Sequence, residues 1–145
     1  MYKNILVMTD FSQHSNHAIE VACEITAKFN CNLYIMHVAH IESGFTILLD
    51  DEDYEKIKNK MDKAIEKELA SLPDTIPCLK GVNYAPIHRR GIPCEEGLKE
   101  VKSGNYDLLV LGSHGKSNVT TFFYGSTTAK LARRSPISTL ITRLK

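Results

Sequence analysis

Apolar and polar residues alternate along the chain in blocks that predict strands separated by helices. Five segments predict strands, because short apolar runs bounded by polar or turn residues are typical of strands buried on both faces of a sheet. In chain order they are Lys3 to Thr9, Cys31 to Val38, about Leu79 to Arg89, Leu108 to Leu111, and Ile137 to Leu144. Pro86 lacks a backbone donor for a sheet ladder, so we expect the third strand at an edge.

Between the strands, apolar residues recur at three- and four-residue spacing, which predicts amphipathic helices. The predicted helices are Gln13 to Phe29, a segment from about Tyr54 to Leu69, a segment from Pro93 to just before Gly104, and Ser126 to Arg134. Acidic residues 50–53 suit the positive end of the second helix. Gly97 is expected to weaken the third helix, because glycine has low helix propensity.

The regular alternation of strand and helix indicates right-handed βαβ units. The predicted fold is therefore α/β: a single Rossmann-like domain over residues 1–145, with an open five-stranded parallel sheet and helices on both faces. Residues 41–50 show no period, and they could either fold over a ligand as a lid or meet a partner protein.

Composition narrows the class of protein. The chain has 145 residues, of which 43% are apolar and 24% charged, and its net charge is +1. Without a long basic or acidic block, neither nucleic acid nor a membrane is expected as the main partner. No apolar span of membrane length and no apolar leader follow Met1, so we predict a cytoplasmic protein.

Cysteines and histidines offer weak candidates for metal binding. The four cysteines have no C-x-x-C spacing, which favours reduced thiols over a disulfide or zinc, and Cys23 and Cys31 are expected in the core. His14 and His17 are three apart on a predicted helix, but no third ligand is evident. His37 and His40 would point to opposite faces of a strand. No metal site on the protein and no catalytic residue is predicted.

A glycine-containing loop follows the fourth strand and is the strongest functional candidate. Gly112 and Gly115 form G-x-x-G, nine residues separate Gly115 from Gly125, and Ser126 follows directly. Glycine lets backbone amides approach a ligand closely, and a helix N-terminus just beyond favours an anion such as phosphate. The pattern is neither the P-loop nor the dinucleotide fingerprint. Taken alone, such glycines are more often turn residues than a ligand site.

Asp10 ends the first strand, where open α/β sheets bind ligands. A simpler interpretation is that Asp10 or Ser12 caps the next helix. The residues alone leave both interpretations open.

The spacing G-x-x-G, nine residues, then G-[S/T], with the wording GSHGKSN, resembles the ATP-binding branch of the universal stress protein family. The similarity runs from KNILVMTDFS at the start to the last strand. The resemblance implies strand order 3-2-1-4-5, which makes the first and fourth strands neighbours. It also implies bound ATP, with AMP as a possible competitor and Mg²⁺ or Mn²⁺ on the phosphates, a role in stress response or signalling, and a homodimer formed through the last strand.

The resemblance also implies which residues bind the nucleotide. Asp10 would contact the nucleoside, Met8 would lie beside adenine, and Val38 would contact adenine through its backbone. Gly112 and Gly115 would approach the ribose and phosphates. The remaining residues would surround the phosphate chain, and they are Ser113, Lys116, Ser117, Gly125, Ser126 and Thr127. His114 is the one candidate base in the loop, and at most slow ATP hydrolysis is expected.

The alternative function is a nucleotide-independent protein-interaction module of the same fold. Its partner surface would include Phe122, Phe123 and Tyr124, which could instead pack beneath the loop. His88, Arg89 and Arg90 are expected to be surface charges.

Overall fold

The computed structural model describes residues 1–40, 49–115 and 125–145. Its strands are β1 (Asn4–Thr9), β2 (Asn32–Ala39), β3 (Tyr84–Arg90), β4 (Leu108–Gly112) and β5 (Ser138–Thr142). Its helices are α1 (Gln13–Phe29), α2 (Asp51–Ala70), α3 (Leu72–Thr75), α4 (Pro93–Ser103) and α5 (Ser126–Arg134), with a 3₁₀ turn over Pro77–Gly81.

All strand pairings are parallel, and the order is β3-β2-β1-β4-β5. This confirms the predicted fold class and strand order. Because β1 and β4 are neighbours, the residues that follow these two strands meet at one edge of the sheet. Pro86 lies in β3, which is an edge strand of the described sheet, as predicted.

Helices cover both faces of the sheet. Ile5 and Val7 of β1 pack in a core with residues of α1, whereas Leu6 packs on the other face with residues of α4 and α5. The alternation follows from the two-residue side-chain period of a strand. Central strand β4 is buried along its whole length, which is why its sequence is uniformly apolar.

The ends of α1 are fixed by local chemistry. The Ser12 hydroxyl accepts a hydrogen bond from the Ser15 amide and caps the N-terminus. At the other end Asn30 adopts a left-handed conformation (φ 53°), and its amide donates to the Thr26 carbonyl. The predicted bounds of this helix are confirmed.

Two predicted element boundaries are wrong. The third strand begins at Tyr84 and not near Leu79, because the preceding residues form a 3₁₀ turn that buries Leu79. The second helix begins at Asp51, with the Asp50 carboxylate accepting from the Asp53 amide at 2.7 Å. The acidic cluster therefore includes the helix cap as well as its first turn.

Gly97 is a close-packing position and not simply a weak point of α4. A Cβ atom there would lie 2.7 Å from Met8 Sδ and 3.1 Å from Leu131 Cδ2. The absence of a side chain thus allows α4 to approach both β1 and α5.

Cysteine burial matches the expectation for Cys23 but not fully for Cys31. Cys23 is buried, whereas Cys31 is only half-buried and its thiol donates to the Tyr2 carbonyl. Cys94 is buried and Cys78 is exposed. None of the helices in the described ranges combines the length and the apolar character needed to cross a membrane.

Candidate functional site

A cleft opens at the carboxyl ends of β1, β2 and β4, beside the start of α5. Its cavity volume is about 160 Å³. The described residues that line it are Met8, Thr9, Asp10, Ser15, Val38, Pro93, Leu111, Gly112, His114, Gly115, Thr127 and Thr128. Pockets that enclose a drug-sized ligand are usually about 300 Å³ or more. A ligand of that size would therefore extend beyond the cavity.

Asp10 lies in a tight turn between β1 and α1. Its Oδ1 accepts a hydrogen bond from the Ser12 amide at 3.0 Å. Phe11 has a positive φ of 63°, and its amide donates to Thr9 Oγ1 at 3.0 Å. Ser12, and not Asp10, caps α1. The capping interpretation therefore holds for Ser12, while Asp10 shapes the turn and lines the cleft.

Asp10 and Gly115 are in close contact across the cleft. A Cβ atom on Gly115 would lie 2.6 Å from Asp10 Oδ2, which is closer than real Cβ contacts permit. The ends of β1 and of the loop after β4 are about a hundred residues apart in sequence, yet they meet here because the two strands are paired. This contact depends on a residue without a side chain at position 115.

Gly112 allows the loop to approach the first turn of α1. A Cβ atom there would lie 2.8 Å from both the carbonyl carbon and oxygen of His14 and 3.0 Å from the Ser15 nitrogen. All three are backbone atoms, which cannot move aside by a rotamer change. The contact holds the start of α1 against the end of β4.

Backbone hydrogen bonds fix both ends of the loop. The Ser113 amide donates to the Thr142 carbonyl at 3.0 Å, and the Gly125 amide donates to the Ser113 carbonyl at 2.9 Å. The Thr128 hydroxyl donates to the Gly112 carbonyl at 2.7 Å. The start of α5 is thereby held beside the end of β4.

The N-terminus of α5 faces this cleft. Gly125 is its N-cap residue, and this glycine has no side chain with which to cap the helix. The first amides of an α-helix have no partner within the helix, and they lie at the positive end of its dipole. Thr127 and Thr128, from the first turn, line the cavity. This geometry suits an anionic group.

Apolar side chains form the other wall of the cleft. Met8 of β1 and Val38 of β2 both line it, together with Pro93 at the start of α4. Val38 is 7% exposed. The Met8 side chain packs against Gly97 of α4. The cleft thus joins an apolar end to a polar, glycine-rich end.

Two imidazoles lie close together beside the loop. The rings of His14 and His114 are 5.1 Å apart, and His114 Nδ1 is hydrogen-bonded to Ser113 Oγ at 2.9 Å. Sequence spacing related His14 to His17 instead, because it could not show which residue of another element lies opposite. His17 Nδ1 lies 3.4 Å from Glu20 Oε2 on the exposed side of α1. Across the described ranges, no three His, Cys, Asp or Glu side chains are grouped to hold a metal ion.

A second polar cluster lies on the α2 side of the sheet. His88 Nε2 donates to Asp62 Oδ1 at 3.0 Å, and Arg90 Nε donates to the same oxygen at 2.9 Å. The side chains of His88 and Arg90 are each less than one-fifth exposed. The prediction that they are ordinary surface charges is therefore wrong. Arg89, in contrast, is half-exposed and pairs with Glu100.

A histidine links this second cluster to the cleft. The His37 ring stacks on His88, with ring centres 6.0 Å apart. Its Nδ1 donates to the Thr9 carbonyl at 2.8 Å. The sequence did not indicate Asp62 as a partner, since Asp62 lies on a helix more than twenty residues from both His88 and Arg90.

Comparison with known proteins identifies the family. A model of the universal stress protein family matches residues 1–143. The chain belongs to the universal stress protein family. This confirms the resemblance seen in the glycine loop and in the N-terminal segment.

Individual relatives match along nearly the whole length of this universal stress protein. It is 27% identical to universal stress protein MJ0577 of Methanocaldococcus jannaschii, covering 100% of this chain and 97% of the relative. The solved structure of MJ0577 has a TM-score of 0.84 at 26% identity, covering 100% of this chain and 98% of that one. Identity to YxiE of Bacillus subtilis is 28%, covering 99% and 100% of the two chains.

A further neighbour is the crystal structure of a universal stress protein in complex with cAMP. Its TM-score is 0.71 at 24% identity, and the match covers 98% of this chain and 97% of that chain. At this identity the similarity shows the shared fold.

Most of the residues predicted from the motif of the universal stress proteins come together in the cleft. Those that line it are Met8, Asp10, Val38, Gly112, Gly115 and Thr127. Ser113 is buried behind the loop, and Ser126 is exposed at the start of α5. Lys116 and Ser117 lie outside the described residues, as do Phe122, Phe123 and Tyr124.

Some lining residues were missed by sequence reasoning. Thr9, Ser15, Pro93 and Thr128 line the cleft but were not predicted as site residues. The helical spacing Ser12 to Ser15 and the position of Thr128 one turn after Gly125 are compatible with capping and packing roles. Sequence spacing alone does not show that these four residues line the same cavity, because that depends on how the chain folds.

Proposed function

We propose that this protein binds ATP in the cleft and acts in stress response or signalling. The observation that carries the proposal is the contact between Asp10 and Gly115, which joins the end of β1 to the glycine loop. This contact lies beside the N-terminus of α5, whose N-cap residue is Gly125. An apolar wall at one end and an anion-favouring helix terminus at the other suit a nucleotide. Membership of the family and the intact glycine motif support the same proposal.

In this proposal the apolar end of the cleft receives adenine. Met8 and Val38 provide the wall, and we expect the backbone of Val38 to contact the base edge. Asp10 accepts a hydrogen bond from a ribose hydroxyl. The Asp10 turn is preorganised for this role, because the Ser12 amide already orients the carboxylate.

The phosphates would lie over the glycine loop and the first turn of α5. The amides of Ser113 and Gly125 donate to backbone carbonyls, so these two residues support the loop and do not supply amide donors to the ligand. The amides of Ser126 and Thr127 belong to the first turn of α5, where unpaired donors are expected. Lys116 and Ser117 complete the proposed phosphate contacts with an ammonium group and a hydroxyl.

A divalent cation, Mg²⁺ or Mn²⁺, would be bound mainly through the phosphates. The described part of the chain offers no cluster of carboxylate, imidazole or thiol ligands for it. Mg²⁺ commonly combines phosphate oxygens with retained waters. Such an ion would neutralise charge on the phosphate chain.

We propose at most slow hydrolysis of the bound nucleotide. His114 lines the cleft, but its Nδ1 is engaged with Ser113 and its ring packs against His14. The orientation of this imidazole is therefore set by its contacts with Ser113 and His14 as much as by any bound ligand. Turnover faster than about one per second, at the low end of ordinary enzymes, would contradict this part of the proposal.

The first test is to identify what the purified protein retains. Mass spectrometry of small molecules released on denaturation should detect ATP, and calorimetric titration of the emptied protein with Mg-ATP should give micromolar affinity. AMP and cAMP are the natural competitors to titrate beside it, since one structural neighbour was solved with cAMP. An empty protein that binds none of these nucleotides would refute the proposal.

The nucleotide-independent interaction module is the alternative if that titration fails. Its aromatic surface lies outside the described residues. No observation in the described ranges favours it over the cleft. The predicted cytoplasmic location is part of the present proposal, and cell fractionation would test it.

A further inference from the structure

His37, near the carboxyl end of β2, contacts the residues on both sides of Asp10. Its Nδ1 donates to the Thr9 carbonyl at 2.8 Å. Its ring lies against the Phe11 ring, with the ring centres 4.6 Å apart and the planes tilted by 37°. Thr9 and Phe11 are the chain neighbours of Asp10. One imidazole on β2 therefore contacts both ends of the segment that carries the Asp10 carboxylate.

The turn at Asp10 has a backbone that needs support from its surroundings. Phe11 has a φ of 63°, in the left-handed region that a residue with a bulky side chain seldom adopts. The bonds from the Phe11 amide to Thr9 Oγ1 and from the Ser12 amide to Asp10 Oδ1, both 3.0 Å, lie within the turn. They shape the turn but do not hold it against β2. Such conformations persist where neighbouring structure fixes them, and His37 is the neighbour on β2.

A second imidazole fixes the His37 ring from its other side. The rings of His37 and His88 are nearly parallel, with 8° between their planes and 6.0 Å between their centres. The sheet register places the two residues opposite each other on β2 and β3. His88 in turn donates to Asp62 of α2, which also accepts from Arg90. A row of contacts thus runs from α2 across β3 and β2 to the Asp10 turn.

The atom that His37 holds determines the orientation of Asp10. The Thr9 carbonyl belongs to the peptide group that joins Thr9 to Asp10, and this group is planar. A hydrogen bond to its oxygen therefore limits rotation of the plane that ends at the Asp10 Cα. The direction in which the Asp10 side chain leaves the backbone follows from the same plane.

We propose that His37 is a positioning residue of the nucleotide site, whose Nδ1–H holds the Thr9 carbonyl and so aims the Asp10 carboxylate at the ribose. His37 does not line the cleft, so it acts through Asp10 and not by touching the ligand. This inference rests on the proposed function, because that proposal assigns Asp10 to the ribose. It adds a residue that the motif of the glycine loop does not include.

Two substitutions separate the N–H donor of His37 from its ring. His37→Phe keeps a planar ring to pack against Phe11 and His88 but has no N–H group. His37→Asn has no ring but carries an amide N–H group on Cγ, where the imidazole carries Nδ1. His17→Phe is the matched control, because it makes the same exchange at a histidine of α1 whose partner is Glu20.

Calorimetric titration of the full chain with Mg-ATP measures the effect on binding. His37→Phe should weaken affinity about fivefold, the equivalent of one ordinary hydrogen bond. His37→Asn and His17→Phe should stay within about twofold of wild type. In an Asp10→Ala background, His37→Phe should change affinity by less than about twofold, because no carboxylate remains to be positioned. A general loss of stability would weaken binding equally in both backgrounds.

Hydrogen exchange of the nucleotide-free full chain measures the same role without a ligand. The amides of Phe11 and Ser12 are bonded within the turn, so their exchange reports how often the turn opens. Both amides should exchange several-fold faster in His37→Phe than in wild type. His37→Asn should keep the wild-type rates.

Each of three binding results would overturn the inference. They are wild-type affinity in His37→Phe, a loss in His37→Asn as large as that in His37→Phe, and a loss in His37→Phe of equal size with and without the Asp10 carboxylate. Unchanged exchange of the Phe11 and Ser12 amides in His37→Phe would also overturn it. Failure of the proposed function is distinguishable, because the wild-type protein would then bind no nucleotide while these amides still responded to His37→Phe.

Discussion

At the scale of single residues, the cleft depends on positions where a side chain would not fit. Gly112 and Gly115 bring the loop against the backbone of α1 and against Asp10. The sequence predicted this loop because its glycines have a recognisable spacing. It could not predict the role of Gly97, since an isolated glycine in a helix indicates low propensity and carries no information about which side chain lies opposite.

Substitution of Gly97 by alanine tests that role. Helix propensity alone would stabilise the protein by about 1 kcal/mol. The new Cβ would lie 2.7 Å from Met8 Sδ, and overpacking of this kind costs about 1–3 kcal/mol. We expect no gain in the free energy of unfolding and, because Met8 lines the cleft, a several-fold weaker affinity for Mg-ATP.

Urea unfolding and calorimetry measure the two effects. Gly81→Ala is the control, since a Cβ there meets nothing within 4 Å. A Gly97→Ala protein stabilised by about 1 kcal/mol, with wild-type affinity, would show that the Met8 contact is unimportant.

At the scale of secondary-structure elements, the spacing of apolar residues predicted the strands and the main helices well. Helix α1 and helix α5 have the predicted bounds, because capping residues, a final pair of arginines and Pro136 mark their ends. Residues 79–83 were misassigned to a strand because short apolar segments do not distinguish a 3₁₀ turn from a strand. Only packing against α1 decides between them.

The junction between β1 and β4 gives a pH-dependent prediction. Asp107 Oδ2 accepts from the amides of Lys3 and Asn4 at 2.8 and 2.9 Å. These two bonds hold the pKa of Asp107 below its ordinary value of 3.8, and the bond from the Asn4 amide has the larger effect. A carboxyl with a lowered folded-state pKa stabilises the fold above the unfolded pKa and loses that contribution as pH falls through the folded value.

The variant Asp107→Asn should therefore differ from wild type mainly above pH 4. Its deficit in unfolding free energy should be constant from about pH 5 to 7 and should shrink below about pH 4. Urea unfolding across this range measures it, with Asp74→Asn on the exposed surface of α3 as the control. A deficit that grows towards acid pH would contradict the assignment.

The last strand, β5, gives a prediction about the oligomeric state of the protein. β5 pairs with β4 and forms the second edge of the described sheet. Exposed edges favour pairing with another chain, and we propose a homodimer through this strand. Sedimentation velocity should show a dimer at micromolar concentrations. A monomer at tens of micromolar would refute the proposal.

At the scale of the whole molecule, parallel topology assembles the site. Residues from the ends of β1, β2 and β4 converge because these strands are adjacent and point the same way. Strand alternation predicted the fold class, but the order of strands came from the family resemblance, since hydrophobic pattern does not encode which strands are neighbours. The contacts of Asp10 with Gly115 and of His14 with His114 could not be derived from spacing, because each joins segments about a hundred residues apart.

The most direct test of the account is the affinity of Gly115→Ala for Mg-ATP, measured by calorimetry beside wild type and Gly81→Ala. The added Cβ would lie 2.6 Å from Asp10 Oδ2, so the carboxylate or the loop must move. We predict a loss of at least about tenfold in affinity, with wild-type affinity in Gly81→Ala and unchanged circular dichroism in both. Equal affinity in all three proteins would contradict a nucleotide site built on the contact between Asp10 and the glycine loop.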